Sequence, residues 1–303
     1  MPFLILIYAL SRICESFSHK LCSASMTGES GTSYGYYYVT HSLVACIFFI
    51  LSGGFSISIN TATLLFSVAL AAVILINMLV SMLKLRYMNV LGAGILTTPL
   101  NLLLIALAGN LLFGEDITLS VCLKILVTTV SAVLIFIDIQ RNKGHDDNKE
   151  NDKGGRIDLK RYVPLMLISV LLGVIQTLLV KAFVISERVT NEHSFYLLTN
   201  VFMLSWGVIM LITSALKGRG NLKTGLSFFK PRRVLSTFGN VVSSNVTSLV
   251  TVPILVGINI SIFSPVSSAW SIVVSVIISL IFKEKLGLFS YLAAAVGILA
   301  IFV

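Results

Sequence analysis

The chain has 303 residues, is 56% hydrophobic and 12% charged, and carries a formal net charge of +9 with a mean hydropathy of +0.95. Water-soluble domains carry about a quarter charged residues and roughly 45–50% apolar ones, so this composition excludes a body whose surface faces water and implies one dissolved in lipid. The basic residues sit between apolar runs instead of forming one face, so the expected partner is the bilayer and nucleic acid is not one.

A bilayer core of about 30 Å takes about 20 apolar residues per helix. Apolar runs bounded by charge or turn residues predict ten helices, near 2–22, 36–53, 61–83, 88–112 and 117–138, then 162–185, 195–216, 234–257, 261–282 and 286–303. The first opens on a short apolar run followed by Arg12 and Glu15. A secretory signal would start with basic residues and none precede this run, so a helix is predicted. On it Tyr8, Arg12, Glu15 and His19 share one face, which is expected to look into the bundle. The second helix opens on Tyr36, Tyr37 and Tyr38, expected to form an interfacial aromatic belt. Residues 139–160 are almost wholly polar and predict a linker. In the second half, Trp206 and Trp270 are expected to pack in the core. Pro99, Pro253 and Pro265, with Gly92, Gly94 and Gly257, predict interrupted helices.

Shifting the chain by 169 residues aligns Leu111, Phe113, Glu115, Leu119, Leu123 and Val127 with Leu280, Phe282, Glu284, Leu288, Leu292 and Val296, and Arg12 with Lys181. This predicts one five-helix repeat over 1–138, the linker at 139–160 and a second repeat over 161–303. Five is odd, so the second copy enters the membrane from the opposite side. The expected fold is therefore all-α, a polytopic membrane protein of ten transmembrane helices arranged as two inverted five-helix repeats, an architecture used by many secondary carriers. Loops after the odd-numbered helices carry 18 Lys and Arg, and those on the other side carry only Arg188. The positive-inside rule then puts the linker in the cytoplasm and both termini outside, in the plasma (inner) membrane.

Each half has a helix ending in Phe-x-Glu, Phe113-Gly114-Glu115 and Phe282-Lys283-Glu284, with Pro99 or Pro265 in that helix, and the last helix is small-residue-rich from Ala293 to Ala300. With the five-plus-five length, these features resemble the drug/metabolite transporter superfamily, specifically its ten-helix EamA-like members. The resemblance implies transport of small organic solutes, such as amino acids, sugars, nucleotide sugars or drugs, by alternating access.

A charge at the centre of a transmembrane helix costs roughly 2.5–3.5 kcal/mol on insertion scales, which makes embedded ions candidates for function. Arg12 and Lys181 occupy matching positions in the two repeats and are expected to bind substrate from one cavity, attracting a carboxylate or phosphate. Glu15, three residues after Arg12, is expected either to exchange a proton with the substrate, with protons as coupling ion, or to act as a counter-ion. His41 and Gln176 are the further substrate-binding candidates among the polar residues in apolar surroundings, which also include Asn77, Asn101 and Asn200. Glu115 and Glu284 are read as helix caps.

The four cysteines (Cys14, Cys22, Cys46 and Cys122) are scattered and read as small buried hydrophobes. No metal and no cofactor is expected. His19, His41, His145 and His193 are equally scattered, and the chain has no HExxH, GxSxG or Walker loop. The expected function is thus secondary active transport of a small polar organic metabolite, not catalysis. The competing readings are a membrane-embedded enzyme and a regulatory membrane subunit, and the architecture is compatible with a homodimer.

Overall fold

The computed structural model describes residues 2–26, 31–53, 57–84, 90–143, 159–186, 191–216, 231–282 and 286–302. Among them are ten α-helices and no strand: α1 (Pro2–Met26), α2 (Gly31–Ser52), α3 (Thr61–Lys84), α4 (Val90–Phe113), α5 (Leu119–Lys143), α6 (Leu159–Ile185), α7 (Glu192–Leu216), α8 (Pro231–Gly257), α9 (Ile260–Ile281) and α10 (Leu288–Phe302). Each lies on one of the ten predicted runs. Six contain stretches long and apolar enough to cross a membrane: Gly35–Ser52, Leu119–Asp138, Val163–Ile185, Glu192–Leu216, Val234–Gly257 and Ile260–Ile281. Thr61–Asn77, Leu100–Phe113 and Leu288–Phe302 are shorter apolar helices. The protein is an all-α integral membrane protein that passes the bilayer several times. The predicted linker is helical at both ends, since α5 runs to Lys143 and α6 starts at Leu159. Its middle, Arg188 and Glu284 lie outside the described residues, as do the side chains of His19 and Pro99.

Short polar side chains and one glycine set several helix ends. Asn60 Oδ1 accepts the N–H of Thr63 at 2.7 Å at the start of α3, and Asn191 Oδ1 accepts that of Ser194 at 2.7 Å at the start of α7. At the end of α4, Gly114 adopts φ +65°, its N–H reaches Asn110 O (3.1 Å), and the N–H of Glu115 reaches Gly109 O (3.2 Å). The Gly114–Asn110 bond is that of an αL termination, which needs the left-handed residue that glycine supplies without a Cβ clash. It turns Glu115 off the helix end.

By packing, the chain forms two compact units, Met1–Ala72 with Ala182–Ile254 and Val73–Lys181 with Leu255–Val303. Each draws on both halves of the sequence. In the first unit α2 and α7 run antiparallel. A Cβ on Gly35, near the start of α2, would meet Leu211 near the end of α7, while one on Gly53, just past α2, would meet His193 at the start of α7. Between these ends the Phe49 and Tyr196 rings stack at 5.5 Å, and Ser67 donates to Phe195 O at 3.0 Å from α3. In the second unit α5 and α10 are also antiparallel. Asp138, late in α5, accepts the N–H of Gly287 (2.8 Å) and the hydroxyl of Ser290 (2.5 Å) at the start of α10, and Ser131 donates to Ala293 O (2.6 Å). Ala132 and Ile135 of α5, Ile272 and Val276 of α9 and Ala293 of α10 form the apolar core there.

Three sequence expectations are corrected. Tyr37 and Tyr38 are buried, 6% and 0% exposed, because they face α7 and α8 within the first unit and do not form a belt at the interface. Trp206 is 43% exposed, since the side of α7 that packs on α2 is occupied by Gly207. Cys46 is buried as expected, whereas Cys14 and Cys122 are exposed on α1 and α5.

The α2–α7 crossing allows no side chain at Gly207: a Cβ there would lie 3.1 Å from both Tyr38 Cβ and the backbone N of Val39. Gly207→Val should destabilise the protein by about 1–3 kcal/mol through overpacking. At Gly173, where a Cβ would sit 3.6 Å from its nearest neighbour, Gly173→Ala should be neutral or stabilising. Thermal unfolding in detergent reads both.

Candidate functional site

Two polar constellations lie among the apolar helices, one in each unit. The first is built on α1 and α8. Tyr8 and Ser11 are buried on the inner face of α1, with Arg12 and Glu15 half-buried beside them. Arg12 Nη1 donates to Glu15 Oε2 at 2.8 Å, an i,i+3 pair on one helix face. Facing it is Thr247 of α8, whose Oγ1 lies 2.9 Å from Ser11 Oγ and 3.4 Å from Glu15 Oε2. One helical turn and more below, Asn240 of α8, 5% exposed, donates from Nδ2 to the Tyr37 hydroxyl at 3.2 Å. The Tyr37 ring stands 5.7 Å from that of His41, which is half-buried on α2. From α7, the Tyr196 hydroxyl reaches Ser248 O at 3.5 Å. Three of the five expected substrate-binding residues, Arg12, Glu15 and His41, therefore belong to one unit and to adjoining parts of one polar seam.

The second constellation centres on Glu115, which is 6% exposed. One carboxylate oxygen accepts the N–H of Ile260 (2.9 Å). The other accepts the N–H (3.0 Å) and hydroxyl (2.5 Å) of Ser261. Lys181 Nζ of α6 stands 3.4 Å from Glu115 Oε1 and donates to Leu255 O of α8 at 3.0 Å. The end of α4, the first turn of α9, the end of α8 and the last part of α6 thus meet at a single carboxylate. Glu115 is a cap, as read from the sequence, but the helix it caps is α9 and not the α5 that follows it. Unpaired N–H groups and a positive dipole end are common to every helix start, and packing brings those of α9 to Glu115, while Thr118 Oγ1 accepts the N–H of Val121 in α5.

Lys181 is 7% exposed and matched by Glu115, and Arg12 is matched by Glu15. Each cation expected to attract an anionic substrate stands beside a carboxylate. Gln176 is half-buried on α6, in the same unit as Lys181. Among the asparagines, Asn77 accepts the hydroxyl of Ser169 at 3.2 Å, and Asn200 donates to Tyr196 O at 2.8 Å. The first joins α3 to α6, and the second closes back on α7 itself.

Sequence reading missed Asn240, Thr247 and Tyr37 as parts of the first constellation, and Asp138 at the α5–α10 contact. The α8 residues had a signal. Ser236, Asn240, Ser244, Thr247 and Thr251 recur at helical spacing within a run that also holds Thr237, Ser243, Asn245 and Ser248.

No family model matches the chain, and no curated protein matches it. A solved structure described only as a crystal structure of a protein aligns with a TM-score of 0.67 over 99% of this chain and 96% of that one, at 14% sequence identity. At that identity the likeness extends to the fold alone.

Proposed function

We propose that the protein is a secondary carrier of the EamA-like drug/metabolite transporter type, moving a small polar organic solute across the plasma membrane by alternating access. The observation that carries this reading is the antiparallel packing of α2 on α7 and of α5 on α10. These are the helix pairs related by the 169-residue shift, which places Tyr38 on Gly207 and Thr128 on Gly297. An inverted repeat makes equivalent helices run in opposite directions, and inverted repeats are a common basis of alternating access.

In this reading Arg12, Glu15 and His41 of the first unit contact the solute, and Gln176 is a polar candidate of the second unit taken by itself. Lys181 acts as a positioning residue by holding the Glu115 junction, which its two short contacts support. Glu15 takes up the coupling proton, a role suited to a half-buried carboxylate held by one guanidinium and one hydroxyl. A cytoplasmic linker belongs to this reading, supported by the excess of Lys and Arg in the loops after odd-numbered helices.

Uptake of a metabolite panel by proteoliposomes, with and without an imposed pH gradient, tests the reading. Saturable uptake of at least one solute, stimulated by the gradient, is expected. Failure of every solute to enter above protein-free vesicles would refute it.

A further inference from the structure

Thr247 of α8 faces the Arg12–Glu15 pair, and the hydroxyls on the same side of α8 have their protons engaged with their own helix. Ser244 donates to Val241 O (3.0 Å), Ser248 to Ser244 O (3.0 Å) and Thr251 to Thr247 O (2.7 Å). Thr247 has Ser243 O at 2.9 Å, Ser11 Oγ at 2.9 Å and Glu15 Oε2 at 3.4 Å for its single proton. On α1, Ser11 donates to Tyr8 O at 2.9 Å. A hydroxyl has one proton and two lone pairs, so a hydroxyl bonded back to its own helix presents an acceptor. The strip formed by Ser244, Thr247, Ser248 and Thr251, half-buried near the middle of the Val234–Gly257 span, is therefore an acceptor surface.

A second observation points the same way. Asn240 shares a helix face with Ser244, Thr247 and Thr251, at spacings of four, seven and eleven residues. Its Nδ2 is fastened to Tyr37, while its Oδ1 is buried with no hydrogen-bond partner. A buried carbonyl without a donor is a costly arrangement that persists where something else brings the donor. Asn245, about a third of a turn off this face, is not part of it. The Glu15 carboxylate adds a further acceptor at the α1 side.

We infer that the transported solute is rich in hydrogen-bond donors, a small polyol or primary amine, which lies along the acceptor strip of α8, and that it is not a carboxylate or phosphate. A carboxylate or phosphate laid on this strip would set its oxygens against hydroxyl lone pairs, Asn240 Oδ1 and the Glu15 carboxylate, and one N–H of Arg12 is given to Glu15. A chain of O–H or N–H groups would find an acceptor at nearly every turn. The inference rests on the carrier reading and specifies what that carrier recognises.

The test is uptake by proteoliposomes of two skeletons, each with four end groups: glycerol, serinol, glycerate and glycerol phosphate, and sorbitol, glucamine, gluconate and sorbitol phosphate. Flux is expected in the polyol or amine arms and not in the carboxylate or phosphate arms. Thr247→Val and Thr251→Val, which keep side-chain shape and lose the hydroxyl, should each lower that flux by about tenfold, the scale of one lost hydrogen bond. Thr247→Ser should restore it, and thermal unfolding verifies that each variant is folded. Flux confined to the carboxylate or phosphate arms would overturn the inference and leave the carrier reading standing. So would flux in the donor arms that is indifferent to both valine substitutions. No flux in any arm would overturn the carrier reading and the inference with it.

Discussion

Glu115→Ala is expected to lower stability by about 3–5 kcal/mol, the scale seen when one member of a buried, hydrogen-bonded ion pair is removed. The substitution leaves the buried Lys181 ammonium without its carboxylate and uncaps the N–H groups of Ile260 and Ser261. Lys181→Met and Glu115→Gln should each be destabilising, and the double variant should lose less than their sum, because the two residues share one interaction. A double-mutant cycle read by thermal unfolding in detergent measures this coupling. A coupling near zero would mean that Glu115 acts only as the α9 cap. The junction should also respond to acid. Burial pushes the Glu115 carboxyl upward, but the Ser261 hydroxyl, the Ser261 and Ile260 amides and Lys181 outweigh burial, and the net shift is downward from its ordinary 4.5. A carboxyl lowered on folding contributes stability that is fully present above pH 4.5 and is lost as pH falls below it toward the folded-state value. Glu115→Gln should remove that part of the acid sensitivity.

Arg12→Ala should reduce carrier flux by roughly ten- to a hundredfold, the equivalent of about 1.5–3 kcal/mol for a hydrogen bond to a charged group. Removing the guanidinium leaves Glu15 with Thr247 and alters the seam where α1 faces α8. Arg12→Lys should recover only part of the flux, because an ammonium keeps the charge but not the planar fork. Glu15→Gln should abolish stimulation by a pH gradient while retaining downhill uptake. Native flux in Arg12→Ala at an unchanged protein level would remove this pair from the solute path. A Glu15→Gln carrier still driven by the gradient would move the proton to another group.

The helices were legible because each needs its own apolar run, and run length is a local property. The start of α3 matches the expected residue 61, whereas α7, capped by Asn191, starts at Glu192, three residues before the expected 195. The Arg12–Glu15 pair was legible for the same reason, since three residues on a helix define a shared face. The Glu115 junction was not, because its partners lie 145 and 146 residues later and only packing selects the helix that it caps. Asp138 was hidden in the same way, at 149 and 152 residues from Gly287 and Ser290. For the tyrosines, the rule that places aromatics at the membrane interface gave way to burial of Tyr37 and Tyr38 against glycine and asparagine on neighbouring helices.

Exchange across the membrane addresses alternating access most directly. Proteoliposomes loaded with a transported solute should take up the labelled solute from outside faster than empty ones, because a carrier returns more quickly when loaded, and Arg12→Ala should abolish the acceleration. Uptake that is indifferent to internal solute and rises linearly with external concentration would describe a pore, and would contradict a protein built from two inverted copies that open in turn.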